Sequence, residues 1–281
     1  YKLHKRCFDA VALMENSRKS NTLWRCQKKG VTLQAHSGML YILPIQNNQD
    51  MTILCIETST NVCSAAVTIG GIPVAERISR EGGNHAKLLP VFVDELFKEV
   101  RTKGLEIEGI ALSEGPGSYT GLRIGTSTAK GLCYGLDIPL IPINTLQILS
   151  ASCVARYGTQ LLPNALLCPM LDARRMEVYT SLYDEELQPV GGVEARVVED
   201  GQWLLDTGKD VYYFGDGAAK CQTLLNSSTL HYMADIVPEA KYMGLLAERM
   251  LSEGCNGADV AYYEPFYLKE FVAETPHIKG L

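Results

Sequence analysis

The sequence predicts an α/β chain of two similar lobes. Three observations carry this. From Met51 onward, short apolar strand-like segments alternate with segments of helical spacing; residues 165–184 repeat the pattern of residues 52–71; and no Pro/Ser-rich linker separates the halves.

The elements follow in order. Ile53–Thr58 ("ILCIET") is an apolar strand, and Ser64–Gly71 with Pro73–Ser79 make a hairpin about Gly70-Gly71. Leu89, Phe92, Val93, Leu96 and Val100 recur at helical spacing while Lys87, Asp94, Lys98 and Arg101 fall elsewhere, which predicts an amphipathic helix with Pro90 in its first turn. Ile107–Gly115 and Pro139–Asn144 read as strands, and Leu146–Tyr157 as a helix. In the second half, Ala165–Asp184 reads as strand, polar turn and strand. A helix near Asp200–Asp206, a strand over Val211–Lys220 and a helix over Lys241–Ser252 complete it. In both halves a strand containing Leu-Cys ends in an acid, Glu57 or Asp172, before a short turn and a second strand; chance similarity of two buried hairpins is the competing reading. The lobes are placed at residues 51–150 and 151–281, the latter including a C-terminal tail.

Charge and composition limit the function. The 281 residues carry 26 Lys/Arg and 32 Asp/Glu; residues 1–50 hold eight against three, a balance of +5, and the remainder eighteen against twenty-nine, a balance of −11. Such an acidic body is not by itself a strong phosphate-backbone binder. No apolar run approaches the roughly 18 residues of a membrane span, and no secretory signal is evident. The nine cysteines include no C-x-x-C pair, and several sit in apolar runs, which favours the reducing cytosol. Residues 1–50 show no sustained helical or alternating pattern. They read as lying outside the native fold, as translated upstream sequence or a mis-set start, with an RNA-meeting basic arm as the competing reading.

The stretch "EGPGSYTGLRIGTSTAKGLCYG" (Glu114–Gly135) turns on glycines and runs into a helix. It lacks the Lys of a Walker-type phosphate loop and the spacing of a dinucleotide fingerprint, although amides near Ser118 and Thr120 could hold an anion. On the helix, Gly121, Gly125, Thr128, Leu132 and Gly135 share one face and Leu122 lies on the neighbouring apolar face. Helical glycines cost about 1 kcal/mol each against alanine, so they imply a close neighbour, in this chain or in a partner subunit. The five histidines have no metal-ligand spacing, and no G-x-S-x-G elbow is present; His85 reads as a capping or surface group. Glu57 and Asp172 could orient a Mg²⁺–nucleotide between the lobes, or simply terminate strands.

The segments "ILCIETSTNVCSAAV", "HAKLLPVFVDEL", "GIALSEGPGSYTGLRIGTSTAKGL", "PINTLQ", "LDARRMEVYTSLY" and "EPFYLK" resemble, in this order, the bacterial TsaB (YeaZ) family over Met51 to about Lys269. The resemblance implies a two-lobed actin-like/Hsp70-like ATPase (ribonuclease H-like) fold with a degenerate second lobe. It further implies a cytoplasmic, non-catalytic, scaffolding role in forming N6-threonylcarbamoyladenosine beside the tRNA anticodon. The implied partners are a TsaD-like transferase subunit and a TsaE-like ATPase, with a homodimer when alone, tRNA met through the complex, and no membrane. The H-x-x-x-H metal motif of TsaD-like proteins is matched here by Thr145-Leu-Gln-Ile-Leu149, so no metal and no resident cofactor are expected, while weak ATP- or ADP-Mg²⁺ binding stays open. The first lobe's helices are the implied partner surface, which nominates Leu89, Phe92, Val93, Leu96, Gly121, Leu122, Gly125, Thr128 and Leu132. A stand-alone ATPase or phosphotransferase using Glu57 and Asp172 is the alternative.

Overall fold

An unbroken apolar run makes Thr52–Glu57 (β4) the buried centre of the first sheet: all six of its residues are buried. The computed structural model describes residues 50–269, together with the backbone of three short strands between residues 23 and 44. Those three, Leu23–Cys26 (β1), Val31–His36 (β2) and Met39–Pro44 (β3), pair antiparallel in the order β1-β2-β3 and belong to a unit of their own, residues 1–49. This corrects the expectation of no sustained pattern in the segment: "VTLQAH" alternates apolar and polar residues as a half-buried strand does.

In the main unit, β4 is followed by Cys63–Ile69 (β5) and Ile72–Ser79 (β6) in a hairpin. Its two-residue turn places Gly70 and Gly71 at φ +55° and +79°, the left-handed backbone such turns require. Helix α1 (His85–Thr102) leads to Gly109–Gly115 (β7), α2 (Tyr119–Leu136) to Leu140–Asn144 (β8), and α3 (Thr145–Tyr157) to the second lobe. There Leu166–Asp172 (β9), Glu177–Thr180 (β10) and Glu194–Val197 (β11) form a meander. The short helix α4 (Gln202–Leu205), Val211–Phe214 (β12), Leu230–Met233 (β13) and α5 (Gly244–Ser252) complete the chain.

The two sheets have the orders β6-β5-β4-β7-β8 and β11-β10-β9-β12-β13. Counted from each lobe's first strand, both read third-second-first-fourth-fifth, with an antiparallel hairpin pair followed by parallel neighbours. The repeat inferred from the two acid-tipped hairpins is thus a repeat of the whole sheet. Degeneracy resides in the helices: where the first lobe has two helices of 18 residues, the second has a four-residue helix and a 3₁₀ turn at Ala219–Cys221.

Helices α1 and α2 cover one face of the first sheet, setting Leu89, Val93, Leu96, Val100, Ala129 and Cys133 on Leu54, Ile56 and Ile110. Helix α1 begins four residues before the predicted stretch, so Pro90 lies inside it and not in the first turn. An interior proline costs about 3 kcal/mol. The four apolar α1 side chains in this core, at about 1.5–3 kcal/mol each, outweigh that. Helix α3 lies against both sheets and is buried over most of its circumference, and its inward-turned Ser150 and Ser152 donate to the carbonyls of Leu146 and Ile148 at 2.9 and 3.0 Å. In the main unit two strands went unpredicted, β11 and β13, each only four residues long. The predicted strand over Val211–Lys220 stops at Phe214 because Gly215 turns the chain at φ +106°, and the last helix starts at Gly244 after a 3₁₀ turn at Ala240–Tyr242.

The glycines of α2 divide into two sets. A Cβ on Gly121 would overlap the Thr58 carbonyl oxygen and one on Gly125 the Thr58 hydroxyl, whereas Gly131 and Gly135 have nothing within 4 Å of that position. The close neighbour is therefore the end of β4 in the same chain. Leu89, Val93, Leu96, Gly121, Leu122 and Gly125, nominated as partner contacts, are buried inside the lobe; of the nominated set, Phe92, Thr128 and Leu132 retain exposure. Gly125→Ala is expected to lower unfolding stability by about 1–3 kcal/mol. Gly131→Ala is expected to raise it by up to about 1 kcal/mol. Urea denaturation of the two variants checks the contrast.

Candidate functional site

The carboxyl ends of β4, β7 and β8 meet where the first sheet faces α3, the position at which open α/β sheets gather ligands. Successive residues at these ends are polar: Glu57, Thr58 and Ser59 after β4, Ser113 and Glu114 in β7, Asn144 at the end of β8. Glu57 is fully buried. Its Oε1 accepts from the Ser59 amide at 2.6 Å and the Ser59 hydroxyl at 2.5 Å, while Oε2 has no hydrogen-bond partner among the described residues. Burial pushes this carboxyl up from 4.5 to about 7, against the lowering effect of the Ser59 and Ser113 hydrogen bonds.

The glycine turn lies against Thr58 and Ser59, the residues that follow this acid. Ser118 donates its amide to the Ser59 carbonyl at 2.6 Å, Thr58 donates its hydroxyl to the Gly121 carbonyl at 2.8 Å, and a Cβ on Gly117 would overlap the Ser59 carbonyl. Ser118 caps α2, its Oγ accepting from the Gly121 amide at 3.3 Å, and Thr120 is exposed on the first turn. Two N–H groups that a phosphate would use, those of Ser118 and Gly121, are thus already engaged within the chain.

Glu114 is half-buried, and burial raises its pKa against a hydrogen bond from Asn144. Asn144 caps α3 through the Leu146 amide at 3.0 Å and receives the Tyr183 hydroxyl at 3.4 Å, tying the two lobes together. Ser113, Glu114, Asn144 and Tyr183 were not singled out from the sequence; the available signal was their place at the carboxyl ends of parallel strands. His85, read as a capping or surface group, is buried, and its Nε2 lies 3.2 Å from the Val62 carbonyl, which can only accept.

Asp172 ends β9 as Glu57 ends β4, but its surroundings differ. It is exposed, pairs with Lys220, and accepts from the Arg174 amide at 3.2 Å, while its own amide donates to Asp216 at 2.9 Å. Glu57 and Asp172, named together from the sequence, share no hydrogen-bond partner among the described residues. No group of three or more His, Cys, Asp or Glu among the described residues could hold a metal ion. Thr145 and Leu149, which the resemblance sets against two histidines of TsaD-like proteins, are both fully buried in α3. Seven described cysteines are free thiols, and burial pushes Cys55, Cys133, Cys153 and Cys168 up to about 12, which makes them inert. No helix among the described residues is long and apolar enough to cross a membrane.

A strap crosses the mouth of this region. The Ala258 amide donates to Leu140, Lys130 holds the Ala261 and Tyr263 carbonyls, the Phe266 amide donates to the Glu114 carbonyl at 2.7 Å, and Tyr267 packs on Tyr119. Lys269 then pairs with Glu177 of β10. The strap runs from the first lobe to the second past Gly115, which sits at φ +117° and whose Cβ position is closed by the Phe266 carbonyl.

Comparison with known proteins yields three findings. The family model described as "TsaD: tRNA N6-adenosine threonylcarbamoyltransferase" matches residues 69–277. The chain is 29% identical to the tRNA threonylcarbamoyladenosine biosynthesis protein TsaB of Bacillus subtilis over 82% of this chain and 99% of that protein, and 29% identical to the TsaB of Escherichia coli over 79% and 96%. The structure of YeaZ from Pseudomonas aeruginosa superposes with a TM-score of 0.66 at 25% identity, covering 78% of this chain and all of that one. The actin-like, ribonuclease H-like ATPase fold expected from the sequence is the fold observed.

Because the folded chain holds Glu57 protonated more readily than the unfolded chain does, this group's contribution to stability falls as pH rises from about 4.5 through about 7. The loss is at most about 3 kcal/mol. Glu57→Gln, which cannot ionise, is therefore expected to gain on the native protein between pH 5 and pH 8. Thermal melts of both at the two pH values check the sign.

Proposed function

The chain belongs to the TsaD family, and on that premise we propose that it serves tRNA threonylcarbamoyladenosine formation as the scaffolding, non-catalytic partner of a TsaD-like transferase in the cytoplasm. The observation that carries the reading is the similarity to TsaB proteins over nearly their whole length. Two features of the site support the non-catalytic part. The positions of the catalytic sibling's histidines are an apolar residue and a hydroxyl inside α3, and Glu57 is fully buried and engaged by Ser59. On this reading the chain needs no resident metal or nucleotide.

The proposed partner surface is the outward side of α1 and α2. Two shallow depressions lie between these helices, one lined by Pro90, Tyr119, Arg123 and Thr128 and the other by Phe97 and Leu132. Beside them stand Val91, half-exposed, and Tyr134, 86% exposed. Phe92, Thr128 and Leu132, the nominated residues that stay accessible, belong to this face. It is proposed to pair with the transferase subunit, to form the homodimer when the chain is alone, and to place a TsaE-like ATPase at the joint surface.

Reconstitution of tRNA modification tests the reading. Product is expected with the transferase, the TsaE-like ATPase and this chain together and is expected to fall at least about tenfold when the chain is left out, equivalent to about 1.4 kcal/mol in barrier. Substantial ATP hydrolysis by the chain alone, abolished in Glu57→Gln, overturns the scaffold assignment. Ser127→Arg, at an exposed position in the first of these depressions, is expected to leave the melting temperature unchanged and to weaken pairing with the transferase about tenfold or more in titration calorimetry.

A further inference from the structure

The acids at the start of β4 lack a counter-charge. The Thr52 amide donates to Glu108 Oε2 at 2.8 Å, the Met51 amide faces the Glu248 carboxylate, and Asp50 and Glu108 both repel that carboxylate. No Lys, Arg or His among the described residues forms an ion pair with Asp50, Glu108 or Glu248. Glu248 Oε1 is buried without a hydrogen-bond partner among the described residues, and burial raises the pKa of this carboxyl. A buried polar atom left in this state is normally answered by a donor or a cation.

Met51 is itself fixed in place. Its carbonyl accepts from the Gly70 amide at 3.2 Å, and its methyl end lies 3.8 Å from where a Cβ on Gly109 would stand. The Glu108 amide donates to the Thr52 carbonyl at 2.8 Å, which locks the acid to the first residue of the strand. Two independent observations bear on the same place in the chain. The compact units divide between Gln49 and Asp50. The TsaB of Bacillus subtilis aligns over 99% of its length with 82% of this chain, and YeaZ over all of its length with 78%. A part of this chain at least as long as residues 1–49 therefore has no counterpart in either.

We propose that Met51 is the amino terminus of the working chain and that its α-ammonium group is the counter-charge of Glu248, with Glu108 as the second acid. An ammonium has three N–H donors where an amide has one. It therefore reaches the Glu248 oxygen that the amide leaves unpartnered, and it sets a positive charge beside two acids. A start at Met51 also removes Asp50, one of the two acids that repel Glu248. The titratable groups around this nitrogen are then Glu248 of α5, Glu108 ahead of β7 and, next to Glu248, the Cys55 thiol of β4, which burial pushes up to about 12 and keeps neutral. The inference concerns how the main unit begins and stands apart from the scaffold role.

Asp50–Leu281 is a compact unit, and YeaZ folds within that extent. The test therefore uses the chain from Met51 to Leu281 with its amino group free or acetylated. By NMR titration the α-amino pKa is expected about one unit above its ordinary value of about 8, and Glu248→Gln is expected to return it there. With the folded pKa raised, the link stabilises fully below about pH 8 and is lost as pH rises through about 9. The free chain is thus expected to melt about 2–4 °C above the acetylated chain at pH 7 and level with it at about pH 10.5. Equal melting at pH 7, or an ordinary α-amino pKa, overturns the link. Acetylation leaves every side chain in place, so the comparison holds even where Glu248→Gln fails to fold. The intact mass of the protein isolated from its own cells is expected to exclude residues 1–49, and a mass that includes them overturns the start at Met51.

Discussion

Everything in the first lobe is arranged around one close approach, that of the start of α2 to the end of β4. Gly117, Gly121 and Gly125 are spaced four residues apart and face the backbone and side chains of Thr58 and Ser59, where no Cβ fits. Hydrogen bonds lock the contact from both sides: Ser118 amide to Ser59 carbonyl, Thr58 hydroxyl to Gly121 carbonyl. The helix pays for its glycines in propensity, and it gains an approach to Thr58 and Ser59 that no larger residue allows. Because α2 is pinned at this end, its outer side and the neighbouring α1 present a fixed surface.

The second lobe repeats the device in reduced form. Gly215 comes directly after β12 at φ +106°, as Gly115 ends β7 at φ +117°, and in both places a second glycine two residues on presses against the end of the lobe's first strand. Gly217 meets Leu171 and Asp172, and its amide donates to the Met170 carbonyl at 3.0 Å. The second lobe lacks the long helix after the turn; a 3₁₀ turn stands in its place. Asp172 is exposed and answered by Lys220, whereas Glu57 is buried and answered by Ser59. The same strand-end acid thus has two electrostatic surroundings in the two lobes.

Much of this was legible in the residues. The helical spacing of Leu89 to Val100 marks α1, the Gly70-Gly71 pair marks the first hairpin, and the Leu-Cys strands with terminal acids mark the repeat. The helical wheel of α2 identified a glycine face but not its neighbour, because a wheel records direction along one helix and says nothing of which backbone lies opposite. Gly121 and Gly125 turn out to meet the end of β4, and the true outer side is marked by Gly131 and Gly135, which meet nothing. Strands β11 and β13 are four residues each, too short for period-two alternation to register. The grouping of Glu57 with Ser113, Glu114, Asn144 and Tyr183 depends on parallel pairing between distant segments, which local patterning does not encode.

In an actin-like fold the natural place for chemistry is between the lobes, at the strand ends. Here the glycine turn lies against Thr58 and Ser59 at the end of β4, and the strap from Ala258 to Lys269 ties the end of β7 to β10 of the second lobe. On the proposed reading the contacts of the chain fall to the outer side of α1 and α2, whose apolar and aromatic residues suit burying area against a protein.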